Sequence, residues 1–153
     1  MGQVNIVAPY LTELLKIEQS TGSVMHAIKA SSQGFCGFGE AYFSTVYPQK
    51  VKGWKLHQKM TLNLVVPHGE IRFIIHDGEF AKGQTYIDPL IDVVLGDNNY
   101  CRLTVPPNFW VAFKGVGANI NMLMNVANME HDPNESLNKS LDFFDVKGCE
   151  DFE

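Results

Sequence analysis

Lys55, His57 and Lys59 are the residues of this chain whose types and spacing most suggest chemistry. They alternate, so an extended backbone would place all three on one face. An imidazole changes charge near neutral pH, and flanking ammonium groups would favour an anion beside it. A titratable histidine flanked by cations at the mouth of a β-structure is the best site candidate in the chain. Other residues carry weaker signals. Arg102 is one of very few arginines and could meet a phosphate, while Phe109, Trp110 and Phe113 could stack on a base. Aromatic residues on neighbouring strands more commonly form core or interface. The lysines read equally well as solvated charges on an edge strand, and His26, His68 and His131 fall in or near turns.

The elements that must position these groups are strands. The central stretch, Gly53 to Asp77, holds two apolar runs, Met60 to Val66 and Glu70 to His76, joined by Pro67-His68-Gly69. This predicts a hairpin with a tight turn. Before it, Pro9 to Gln19 has Leu11, Leu14, Leu15 and Ile17 near helical spacing, predicting one short N-terminal helix. Val24 to Ile28 predicts an early strand. Ser31 to Glu40 is a glycine-rich loop without the spacing of a phosphate loop. Ala41 to Val46, Tyr86 to Leu95, Tyr100 to Val105, Phe109 to Phe113 and Ile120 to Val126 predict further strands, with Gly96-Asp97-Asn98-Asn99 a strong turn. Roughly eight short strands with regular turn signals, and no helix long enough for a crossover, point to an all-β sandwich or barrel.

Composition narrows the function. The 153 residues, 45% of them hydrophobic, suit one domain spanning 1–153, with an extension over 1–32 and an acidic tail over 143–153. A net charge of -5 without a basic cluster argues against nucleic acid. No signal peptide or membrane span is expected. Cys36, Cys101 and Cys149 are too far apart for a zinc pair and suit reduced thiols in a cytoplasm.

Four local stretches, taken in order, resemble the cupin jelly roll (a double-stranded β-helix), and within it the dTDP-4-dehydrorhamnose 3,5-epimerase family. Gly39-Glu40-Ala41-Tyr42 resembles that family's F-F-E-S-Y strand, and Lys55-Leu56-His57 its R-G-L-H motif. Val66 to Asp77 resembles its G-x-V-x-D-V-x-V-D segment, and Leu103 to Phe113 its I-P-P-G-F-A-H-G-F stretch. The resemblance covers about residues 33 to 142. It implies a homodimer that binds a nucleotide-linked 4-keto-6-deoxyhexose inside the barrel, with no cofactor. His57 would be the base that removes a proton beside the keto group, and Asp142 its carboxylate partner. Lys55, Lys59, Glu40, Tyr42 and Asp77 are the implied substrate-binding residues, with Asp77 pointing inward; Arg102 joins them only on its own reading as a phosphate contact.

Two departures from the family stand out. Its acid tyrosine should fall near Met124, where there is none, and its second histidine is replaced by Val111. Either another residue donates the proton, Tyr42 and Tyr47 being the candidates, or double epimerisation has been lost. The alternative is a non-catalytic cupin that binds a nucleotide sugar. The H-x-H pattern of metal-binding cupins is also absent, since Lys59 stands where the second histidine would be, so no metal is expected.

Overall fold

The computed structural model describes residues 7–77 and 88–143. Among these, twelve strands run in order: β1 (Tyr10–Glu13), β2 (Lys16–Gln19), β3 (Gly22–Met25), β4 (Glu40–Val46), β5 (Val51–His57) and β6 (Leu62–His68). They continue with β7 (Glu70–Asp77), β8 (Ile91–Gly96), β9 (Cys101–Val105), β10 (Phe109–Gly115), β11 (Asn121–Ala127) and β12 (Ser136–Asn138). The acidic tail beyond Phe143, Cys149, and Tyr86 and Ile87 of the Tyr86 to Leu95 stretch lie outside the described residues.

Two antiparallel five-stranded sheets carry the fold. The first has the order β1-β9-β6-β11-β4 and the second β12-β5-β10-β7-β8, while β2 and β3 form a separate ribbon. Alternation along each strand sends one set of side chains into the space between the sheets. Leu62, Leu64 and Val66 of β6 and Leu103 and Val105 of β9 join Ile71, Phe73 and Ile75 of β7 in the main core. The opposite set on the second sheet, Trp54, Leu56, Ile74, Trp110 and Ala112, forms a second cluster on its outer side, against which Leu141 and Phe143 pack.

The expected N-terminal helix is not formed; its residues lie in β1 and β2 instead. Tyr10 to Glu13 pair with Thr104 to Cys101, so the backbone completes the open edge of β9. A lone helix of about eleven residues is marginal in water, and an unpaired sheet edge supplies hydrogen bonds that override the spacing of the leucines. The central hairpin also needs correction. β6 and β7 follow one another but belong to different sheets, each already flanked on both sides, β6 by β9 and β11 and β7 by β10 and β8. The turn is real, yet it is a corner: Gly69, at φ 79°, takes the chain from one sheet to the other.

Candidate active site

A cavity of about 240 Å³ opens between the sheets. Its first-sheet wall includes Tyr42 and Ser44 of β4, Leu64 of β6 and Leu123 of β11; its second-sheet wall includes Lys52, Lys55 and His57 of β5. A hollow at its mouth shares Tyr42, Lys55 and His57 and adds Glu40, Met60 and His131.

His57 and Lys55 reach the cavity by simple alternation, since Trp54 and Leu56 between and before them belong to the outer cluster. Lys52 reaches it through a bulge. Val111 pairs with Lys55 and Phe113 with Lys52, so two steps on β10 face three on β5. One extra residue in β5 returns Lys52 to the side of Lys55. Gly53 sits in this irregularity at φ 140°, and the Lys52 ammonium donates to Ser44 Oγ at 3.1 Å.

His57 is 9% exposed and its Nδ1 is hydrogen-bonded to a Glu135 carboxylate oxygen. The other oxygen of Glu135 accepts the backbone N–H groups of Lys59 at 3.0 Å and Met60 at 3.2 Å. Burial pushes the Glu135 carboxyl up, but the bonds from His57 and the two N–H groups, with the charge on His57, outweigh it and hold the carboxyl below its ordinary value. The ionised form is therefore the one the fold favours. Backbone pairing makes this contact: β12 lies beside β5 with Ser136 opposite His57, and Glu135 immediately precedes it. With Nδ1 fixed by a carboxylate, Nε2 is the nitrogen that can serve a substrate.

Across the cavity, Tyr42 is directly paired with Asn125 of β11, whose amide Nδ2 donates to the phenol oxygen at 3.1 Å. Burial pushes the Tyr42 hydroxyl up, the Asn125 bond opposes this, and the charge of Glu40 adds to it; the net direction is upward. Tyr42 consequently remains protonated at neutral pH. Tyr47, the other candidate donor, is 65% exposed and lies outside the residues that line the cavity. Val111, in place of the family's second histidine, is part of the cavity wall.

The structure thus brings together His57, Lys55, Tyr42 and Glu40, and sets four of the expected residues apart. Asp142 does not partner His57: it is exposed and accepts from Ser140 Oγ. Lys59 lies beyond the end of β5, its side chain outside the cavity lining. Asp77 shares the inward register of Ile71, Phe73 and Ile75 but sits at the exposed end of β7, also outside that lining. Arg102 is on the outer side of the first sheet, donating to Ala27 O at 2.8 Å and Gln33 O at 3.0 Å. It clamps the segment before β4 to the sheet. Glu135, Lys52 and His131 were missed. Asp132-Pro133-Asn134-Glu135 carries the signal of an N-capped turn, which the structure forms over Pro133–Glu135; nothing in it announces a carboxylate turned towards His57. Among the described residues, no three His, Cys, Asp or Glu side chains are grouped to hold a metal ion, and no helix is long and apolar enough to cross a membrane.

Two facing antiparallel sheets with a cavity between them, and a His57–Glu135 pair at its wall, have the form of a cupin-type jelly roll. No protein-family model matches the chain. It is 33% identical to the dTDP sugar isomerase of Desulfovibrio desulfuricans G20, with a TM-score of 0.79 over 90% of this chain and 87% of that one. A probable low-salt glycan biosynthesis epimerase of Haloferax volcanii, Agl13, is 30% identical over 87 residues, 56% of this chain. The match spans 54% of that relative's length. The sugar 3,4-ketoisomerase QdtA of Thermoanaerobacterium thermosaccharolyticum shares the fold at a TM-score of 0.69 and 14% identity, over 86% of this chain and 88% of that one. The chain belongs to the cupin-fold family of dTDP-sugar isomerases and epimerases.

Proposed function

We propose that the protein is a nucleotide-sugar epimerase or isomerase that removes a proton beside the 4-keto group of a nucleotide-linked 4-keto-6-deoxyhexose. The observation that carries this reading is the placement of a carboxylate-bound His57 and a protonated Tyr42 on opposite walls of one cavity. His57 Nε2 takes the proton from carbon, and the electron pair moves onto the carbonyl oxygen as an enolate. Glu135 stabilises the imidazolium that results, and Lys55 lies on the same strand face to meet the anion. Tyr42 returns a proton from the other wall. Delivery to the same carbon inverts it; delivery to the former carbonyl carbon, as the neighbouring hydroxyl becomes a ketone and its proton passes to the enolate oxygen to make the new hydroxyl, moves the keto group. Both outcomes balance without redox chemistry. Lys52 and Lys55 suit the diphosphate of the nucleotide, and the product suits the making of deoxysugars for a glycan.

A cytoplasmic setting fits the free thiols of Cys36 and Cys101. A homodimer is supported by the β2–β3 ribbon, which lies outside both sheets and exposes Leu15, Ile17 and Val24. The test of the reaction is proton exchange followed by NMR in deuterated water, with nucleotide-linked 4-keto-6-deoxyhexoses and the His57→Asn variant beside the unmodified protein. Deuterium entering next to the keto group only with the unmodified protein is the expected result, and the labelled carbon identifies the reaction. A sugar that binds without exchanging any carbon-bound proton would leave only the non-catalytic binding role.

A further inference from the structure

Asn125 is fully buried on the inward face of β11, yet Tyr42 separates it from the place where substrate would sit. Its amide can take only one orientation. The Asn63 backbone N–H reaches Asn125 Oδ1 at 3.0 Å, and an N–H group can only donate. The oxygen must face Asn63, so the amide nitrogen faces Tyr42, where it donates to the phenol oxygen at 3.1 Å. A phenol oxygen that accepts from one side has its own proton free to be given in another direction, and Tyr42 lines the cavity whereas Asn125 does not. Asn63 is itself held, accepting from Thr104 Oγ1 at 2.7 Å and donating to Gly34 O at 2.9 Å.

We infer that Asn125 is a positioning residue for the proton donor: locked by Asn63, it makes the Tyr42 oxygen an acceptor, aims the Tyr42 O–H into the cavity and stabilises the phenolate left after transfer. The inference rests on Tyr42 as the donor in the proposed reaction. Charge-assisted hydrogen bonds are stronger than neutral ones, so the amide contributes most once the proton has left. In the dTDP-4-dehydrorhamnose 3,5-epimerase resemblance the acid tyrosine falls near Met124 on this same strand. Here the neighbouring inward position carries the amide, and the phenol stands one strand away.

Asn125→Asp separates this role from a purely structural one. The new side chain still accepts from Asn63, so the buried backbone group keeps its partner, but once ionised it faces the phenol with an acceptor and a negative charge. Titration of Tyr42, followed by the NMR signal of its labelled ring carbon and assigned with Tyr42→Phe, should move upward by about one unit or more. An unmoved titration in a folded variant overturns the inference, whatever the substrate. In turnover, Asn125→Asp should lose roughly tenfold or more in kcat, the loss deepening with pH as the introduced carboxyl ionises, with little change in KM. His57-dependent deuterium exchange should persist, and the same substitution in a Tyr42→Phe background should cost nothing further. A loss that is independent of pH, or equal in both backgrounds, assigns Asn125 to structure alone. Should the unmodified protein turn over no 4-keto sugar, the reaction falls, and the titration still decides whether Asn125 governs the phenol.

Discussion

At the scale of single residues, the site turns on which carboxylate holds His57. Glu135 is 2% exposed and bound to the ring, whereas Asp142 is exposed and bound to Ser140. Glu135→Gln should lower kcat roughly 100-fold or more, because a neutral amide cannot stabilise the imidazolium. Asp142→Asn should leave it within about twofold, since surface changes away from a site do little; steady-state rates of the two variants decide, and the reverse ranking would return the role to Asp142. A pH dependence follows as well. The folded protein holds the Glu135 carboxyl below its ordinary value of 4.5, so the unfolded chain binds the proton more readily. The contribution is complete above that value and lost as pH falls through the lower folded one. Urea denaturation over acid pH should show a steeper fall for the unmodified protein than for Glu135→Gln. The place of His57 on the cavity wall was legible in the sequence as far as its alternation with Lys55, a local pattern; Lys59, beyond the end of β5, does not share it. The partner of His57 was not legible, because 78 positions separate the two and only the pairing of Ser136 with His57 brings them together.

At the scale of elements, the bulge in β5 decides which lysines line the cavity. Without the extra residue Lys52 would point away from Lys55; with it, both residues line the same cavity. Lys52→Ala should therefore raise KM for the nucleotide sugar roughly tenfold while changing kcat little, as expected for a group that holds the nucleotide's diphosphate equally in ground and transition states. A fall in kcat with unchanged KM would place Lys52 at the reacting centre instead. Gly53 makes the irregularity possible: a Cβ there would lie 2.7 Å from Ala112 Cα, and φ 140° disfavours any side chain. Gly53→Ala should cost roughly 1–3 kcal/mol of stability in a urea titration. The sequence showed strands and turns well where side-chain alternation was clean, as in Tyr100 to Val105. It could not show the bulge, which exists only relative to β10, nor that β6 and β7 lie in different sheets. Apolar runs specify burial, and burial on both faces suits a strand in either sheet.

At the scale of the whole molecule, the β2–β3 ribbon is the part that the two sheets do not account for. Ile17 is paired directly with Val24, and Leu15 lies two residues before Ile17 on the same face. All three are between 40% and 59% exposed. On the alternate face, Lys16 is bound to Asp97 and stands 6.0 Å from the centroid of the Tyr100 ring, so the ribbon is tethered to the turn between β8 and β9. A two-stranded ribbon is marginal by itself, and burial of its apolar face against a second copy of the chain is what the proposed dimer would add. The combined change Ile17→Asp, Val24→Asp puts two like charges opposite each other on that face, at the cross-strand distance where they repel. Light scattering after size exclusion should find a dimer for the unmodified protein and a monomer for the double variant, with unchanged near-ultraviolet circular dichroism showing that both sheets remain packed. A double variant that stays dimeric would move the interface away from the ribbon. A monomeric unmodified protein would remove the dimer altogether, while the reaction proposed for His57, Glu135 and Tyr42 would stand, because all three come from one chain.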